Sequence, residues 1–179
     1  DGGGGEVPAW LSACCDFFVL GAPVKKVFAR QAEDAAQVNA LVQAFNANQV
    51  PPLDRSKPHT VAQAMLKYYA TRNPPLVSPD VTKHFLALAG KDAKGSELPN
   101  VLHKLVYDVN EPARVELKHI MNFLSTIAGD HEATRMEALD LATVWGMKLF
   151  QCNSNITTAT QVMIEHYDFI FAPKSSNRT

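Results

Sequence analysis

The sequence predicts an all-α fold, a single-domain bundle of seven to nine helices. Apolar residues recur at intervals of three and four in one segment after another, the spacing that gathers them on one helical face. Prolines, glycines and short polar runs separate those segments, and no apolar–polar alternation with hairpin turns continues long enough to make strands. The length of 179 residues is that of one domain with room for an ordinary core, and no internal repeat divides it.

Each helix has its own signal. Pro8 suits a first turn, and Trp10, Leu11, Cys14, Cys15, Phe18 and Val19 follow on a broad apolar face that Gly21, Ala22 and Pro23 end. Ala35, Val38, Leu41, Val42 and Phe45 define the second helix, with Glu33 and Asp34 expected in its first turn and a proline-rich connection from Val50 to Pro58 after it. Thr60 is a candidate cap for a third, whose Val61, Ala62, Met65, Leu66 and Tyr69 share a face until Asn73, Pro74 and Pro75 break the chain. Ser78, Pro79 and Asp80 open a fourth carrying Val81, Phe85, Leu86 and Leu88, and a polar loop runs from Gly90 to Ser96. Further helical patterns extend over about Leu98–Tyr107, Pro112–Ala128, Arg135–Phe150 and Thr157–Phe171.

Composition narrows the function classes. Hydrophobic residues make up 46% and charged residues 20%, with a formal net charge of −1, so no bulk electrostatic attraction favours nucleic acid or a membrane surface. No apolar run reaches the roughly 18 residues of a membrane span. Cys14, Cys15 and Cys152 show neither metal-ligand spacing nor a redox pair, and fit a reducing, cytoplasmic setting. The two sequons, at Asn155 and Asn177, are weak signals, and the six histidines show no ligand spacing. No Ser/His/Asp set stands out. Residues 1–6, with the Gly2–Gly5 run, read as a flexible linker and 173–179 as a disordered tail, leaving a domain over 7–172.

Four blocks, in order, resemble the Rho GTPase-activating (RhoGAP) domain family. They are Val7-Pro8 through Arg30 with the helix Ala35 to Leu41; His59 to Tyr69 ending at Pro74-Pro75-Leu76; Arg135-Met136 to Leu141-Ala142-Thr143-Val144-Trp145-Gly146; and Val162 to Phe171. The resemblance covers the whole domain. It implies a helical module that binds a GTP-loaded Rho-family small GTPase, of Rho, Rac or Cdc42 type, and accelerates its GTP hydrolysis. It also implies no metal or cofactor of the domain's own, since the partner carries GTP and Mg²⁺. The domain is expected to be monomeric, with no nucleic acid partner and no membrane insertion.

The resemblance makes Arg30 the finger that enters the partner's site and stabilises charge developing on the γ-phosphate, an effect worth about 10³- to 10⁵-fold. Its surroundings depart from the family. Phe28-Ala29-Arg30-Gln31-Ala32-Glu33 stands where members have Phe-Arg-x-Ser-Gly, so the glycine is gone, and Glu33 and Asp34 come within reach of Arg30 if the helix begins early. Lys67 matches the family lysine that helps engage the GTPase. The arginine four residues later has become Thr71, and Arg72, one residue on, is turned by about 100° on a helix. Asp140 replaces the Asn that touches the GTPase switch region. It is expected to be largely buried, with Arg135, Lys67 or Arg30 as an ion-pair partner or with a place in partner contact. Thr134 is a candidate N-cap for that helix, and Met147, in place of a proline, lets it run on to Phe150.

Local chemistry alone leaves Arg30 and Lys67 as ordinary surface cations. Three functions therefore compete. One is an active accelerator, the second a RhoGAP-like module that binds without stimulating, like those of inositol polyphosphate 5-phosphatases and lipid-kinase regulatory subunits, and the third a helical scaffold without a GTPase partner. The lost glycine, Thr71 and Asp140 favour the second, while Arg30 and Lys67 favour the first.

Overall fold

The computed structural model describes residues 6–89 and 97–174, and among these there is no strand. The polar loop expected over Gly90–Ser96, nearly all of the 1–6 linker and most of the tail lie outside the described residues. In chain order the helices are α1 (Ala9–Val19), α2 (Ala35–Asn46), α3 (Pro58–Thr71), α4 (Pro79–Leu86), α5 (Glu97–Leu105), α6 (Ala113–Gly129), α7 (His131–Thr134), α8 (Ala138–Phe150), α9 (Thr157–Glu165) and α10 (Tyr167–Ile170). Eight of them meet the seven-to-nine expectation, and α7 and α10 are extra four-residue turns.

Helix α3 runs through the middle of the packing. It lies against α2, α1 and α8, while α6 packs on α1, α8 and α9. The apolar stripes read from the sequence become one continuous core. Trp10 of α1 stacks on Phe45 of α2 at 4.3 Å between ring centroids and meets Tyr68 of α3 edge-on at 4.5 Å. Full burial of such side chains stabilises by about 1.5–3 kcal/mol each. Val19 departs from the expected face and is 43% exposed at the end of α1.

Polar groups also lie inside. The Tyr69 hydroxyl donates to the buried Glu116 carboxylate at 2.6 Å, coupling α3 to α6. Burial, and next the Glu116 charge, push the Tyr69 phenol well above its usual range. Burial likewise raises the Cys14 thiol to about 12, leaving it inert as a nucleophile.

Several helix starts differ from expectation, each because a different group satisfies the first-turn amides. Asp34 precedes α2 as its N-cap, accepting from the Gln37 amide at 3.2 Å. Helix α3 begins at Pro58, so Thr60 is a buried third residue rather than the cap. The cap function falls to Glu33, whose carboxylate accepts from the amides of His59 at 3.2 Å and Thr60 at 2.8 Å. The Thr60 hydroxyl donates to Glu33 at 3.0 Å and accepts from the Asp34 amide at 3.0 Å. Partial burial opposes charge on Glu33. Hydrogen bonds from its own amide, the His59 ring and the His59 and Thr60 amides outweigh that and hold its carboxyl at about 2.

The helix expected from Arg135 starts instead at Ala138, because Arg135 closes α7 in a left-handed conformation, φ 60°. Thr134 ends α7 rather than capping α8, and its hydroxyl turns back to the Ile127 and Asp130 carbonyls. Helix α8 does reach Phe150, as expected where Met147 replaces a proline. The last helical pattern breaks at His166 into α9 and α10. Helices α8 and α9 approach closely at Gly146, where a Cβ would lie 2.7 Å from the Thr160 hydroxyl oxygen and 3.0 Å from Ile156 Cγ2. Thr160 is fully buried and its hydroxyl is bonded to the Ile156 carbonyl, so it has no room to yield.

Two stability outcomes follow. Gly146→Ala lowers the urea midpoint by the equivalent of about 1–3 kcal/mol through overpacking, although Ala is the better helix former by about 1 kcal/mol. Glu33→Gln costs about 1 kcal/mol at neutral pH, the usual loss for a cap. Because the folded carboxyl lies below its unfolded value, that stability is complete above pH 4.5 and disappears as pH falls towards about 2. Urea unfolding of wild type and variant across this window shows the two stability curves converging at the acid end.

Candidate functional site

The segment between α1 and α2 presents Arg30, and its backbone is fastened on three sides. The Lys26 amide donates to the Thr134 carbonyl at 2.7 Å, and the Ala29 amide closes a turn onto the Lys26 carbonyl at 2.9 Å. The His59 ring places Nδ1 3.0 Å from the Glu33 carboxylate and Nε2 3.3 Å from the Lys25 carbonyl. Gln63 Nε2 of α3 donates to the Arg30 carbonyl at 3.0 Å.

Phe28 anchors the segment from within. It is 2% exposed and holds φ 72°, with its ring 5.8 Å from Phe18, 6.0 Å from Phe123 and 5.2 Å from Trp145 between centroids. A bulky residue in the left-handed region costs about 1–2 kcal/mol, and burial of the ring offsets it. The Trp145 indole N–H is buried without an acceptor among the described residues, a further cost tolerated where the aromatic cluster closes beneath the segment.

Arg30 itself is in the loop, exposed, and makes no ion pair among the described residues. The expected Glu33 and Asp34 partners are engaged elsewhere: Glu33 at the start of α3, Asp34 with the Gln37 amide and with Lys57 at 3.3 Å. Lys67 is exposed one helical turn beyond Gln63, its ammonium bonded to the Asn39 side chain. Gln31, Asn39, Gln63, Lys67 and Lys148 line an open groove of about 550 Å³.

Thr71 is exposed and its hydroxyl is spent on the Lys67 carbonyl at 2.7 Å. The helix ends there. Arg72 is extended and its guanidinium donates to the Pro74 carbonyl at 2.7 Å, lining a separate hollow of about 340 Å³ with Glu111 and Glu116. The irregular backbone needed for Arg72 to replace the missing arginine is therefore present, but its side chain is turned to its own loop.

Asp140 overturns the expectation of burial. It is exposed and makes no ion pair among the described residues, because it is the third residue of α8 and completes a capping box with Glu137, whose amide it accepts at 2.9 Å. The apolar neighbours in sequence misled, since Leu139 beside it is 52% exposed. Asp140 lines a third hollow, of about 240 Å³, with Lys26, Ala29, Arg135 and Met136. Ala29 thus borders this hollow and Gln31 the Lys67 groove, which puts Arg30 on the divide between them. Arg30, Lys67 and Asp140 meet around one segment, and Thr71 and Arg72 do not share it. Sequence reasoning missed Gln63, although it precedes Lys67 by four residues and so shares its helix face.

Comparisons with known proteins address the same residues. The family model described as RhoGAP domain matches residues 8–154. Rho GTPase-activating protein 4 of Homo sapiens is 23% identical over 97% of this chain, which spans 20% of that protein. Rho GTPase-activating protein Graf of Drosophila melanogaster is 24% identical over 69% of the chain and 13% of its own length. The chain thus spans a fifth or less of these relatives. The crystal structure of the BH domain from Graf, the GTPase regulator associated with focal adhesion kinase, superposes with a TM-score of 0.75 at 18% identity, covering 91% of this chain and 95% of that one. Human Rho GTPase activating protein 15 superposes with a TM-score of 0.77 at 20% identity, over 92% and 84% of the two chains. The structural likenesses establish the shared helical fold, and the sequence match extends from the first helix to the end of α8. The chain belongs to the RhoGAP domain family.

Proposed function

We propose that this domain accelerates GTP hydrolysis by a Rho-family small GTPase, with Arg30 as the finger and Lys67 supporting the interface. The observation that carries this is the fixed backbone and free side chain of Arg30. A guanidinium held on a fastened loop enters a neighbouring site with little reorganisation, and preorganised charge is what phosphoryl transfer rewards. The domain acts as a monomer in the cytoplasm and needs no cofactor of its own, because GTP and Mg²⁺ come with the partner.

A second function, binding without stimulation, is favoured by Asp140. Its carboxylate, exposed beside the Arg30 segment, places negative charge on the face that would meet a nucleotide, and it donates no hydrogen bond. Thr71 and Arg72 contribute to partner contact only at the margin in either case.

Single-turnover hydrolysis with saturating domain, beside binding to a GTPase loaded with a non-hydrolysable analogue, separates the two. Arg30→Ala leaves binding within a few-fold and cuts stimulation by about 10² or more, the usual worth of a finger. Asp140→Asn raises stimulation, since the amide oxygen still accepts from the Glu137 amide while the charge is removed. A wild-type domain that binds yet never accelerates hydrolysis establishes the binding module. One that neither binds nor accelerates with any Rho, Rac or Cdc42 type partner leaves the fold without this function.

A further inference from the structure

Lys26 and Arg135 are 109 positions apart, and the fold sets them side by side. The Lys26 amide donates to the carbonyl of Thr134, the residue before Arg135, at 2.7 Å. Both side chains are exposed, and both line the 240 Å³ hollow that Ala29 shares on one flank of Arg30. Neither makes an ion pair among the described residues. The carboxylate in the same hollow, Asp140, is bonded to the Glu137 amide.

The arrangement is costly. Both residues hold the left-handed conformation, with φ 56° at Lys26 and 60° at Arg135, where glycine is the least strained residue. Among the described residues neither side chain enters an ion pair, which leaves their charge available to a partner.

We infer that Lys26 and Arg135 form a two-cation clamp that receives one carboxylate side chain of the GTPase as the Arg30 loop docks. The clamp rests on the function proposed above and extends it to a second contact, independent of the nucleotide. Charge balance selects a carboxylate. Two cations and Asp140 leave one net positive charge, which a single carboxylate neutralises, whereas a doubly charged phosphate would overfill it and face Asp140. The hollow therefore contributes recognition and encounter rate, while Arg30 contributes to the chemistry.

The test replaces the charge without harming the fold. Lys26→Gly and Arg135→Gly each remove a cation and relieve the left-handed strain, so thermal midpoints stay level or rise. Binding to the analogue-loaded GTPase, measured by calorimetry from low to high salt, weakens about fivefold for each variant, as for an exposed charge pair. The salt dependence becomes shallower, and single-turnover titrations show the loss chiefly in the half-saturating concentration. Lys118→Ala, an exposed lysine on α6, controls for loss of charge elsewhere. Unchanged affinity in both glycine variants, with wild type binding normally, overturns the clamp alone. So does a fall in the thermal midpoint, which makes the side chains structural, or a loss confined to the saturated rate, which makes them positioning residues for Arg30. A wild-type domain that binds no Rho-family GTPase overturns the underlying function as well.

Discussion

The carboxylate of Glu33 makes the interaction on which the placement of the Arg30 segment against α3 depends. It reaches from the segment before α2 to the open first turn of α3 and there meets two amides, a hydroxyl and an imidazole. Each is a donor that would otherwise face the segment unsatisfied. Because the carboxylate is charged, these bonds are stronger than neutral ones, and the start of α3 favours the negative charge. The result is a rigid join between the end of the Arg30 segment and the helix bearing Gln63 and Lys67. Without it, the Gln63 bond to the Arg30 carbonyl would be the remaining side-chain bond from α3 to the end of the segment.

The family glycine is absent from this segment, and the fold replaces its freedom with constraint. Lys26, Phe28 and Arg135 take up left-handed backbone, and these three of the five non-glycine residues with positive φ among the described residues cluster about Arg30. Buried aromatic packing around Phe28 and the Lys26–Thr134 bond hold the geometry that a glycine would adopt without strain. The backbone that carries Arg30 is rigid because its surroundings are. Its ordering entropy is met during folding rather than at the encounter with a partner.

The helical architecture was legible in the sequence because apolar periodicity is a local property of each segment. Ser78 before Pro79 marked the start of α4 correctly, since the cap and the helix are neighbours in the chain. Thr60 and Thr134 did not mark helix starts. The group that caps α3 lies 26 positions or more from the amides it serves, and a left-handed residue after Thr134 ended a helix where the pattern continued. Asp140 was misplaced for a related reason. Apolar neighbours describe the helix as a whole, but the first turn of α8 is at the surface and Leu139 is itself exposed. Arg30 and Lys67 could be named from motif order. Gln63 and the pairing of Lys26 with Arg135 come from tertiary bonds that no spacing along the chain records.

The aromatic cluster under the loop has an optical consequence. The chain contains two tryptophans, and both are buried, Trp10 at 1% and Trp145 at 0% exposure. Trp10 sits among α1, α2 and α3, stacked on Phe45, whereas Trp145 meets the ring of Phe28 edge-on. Emission from Trp145 therefore reports the packing of the segment that carries Arg30, and emission from Trp10 the integrity of the bundle. With Trp10 replaced by Phe, a shift in the remaining signal on mixing with a partner would register displacement of the Arg30 segment without an added dye. The domain thus carries its own probe of whether the loop arrives preset or rearranges on contact.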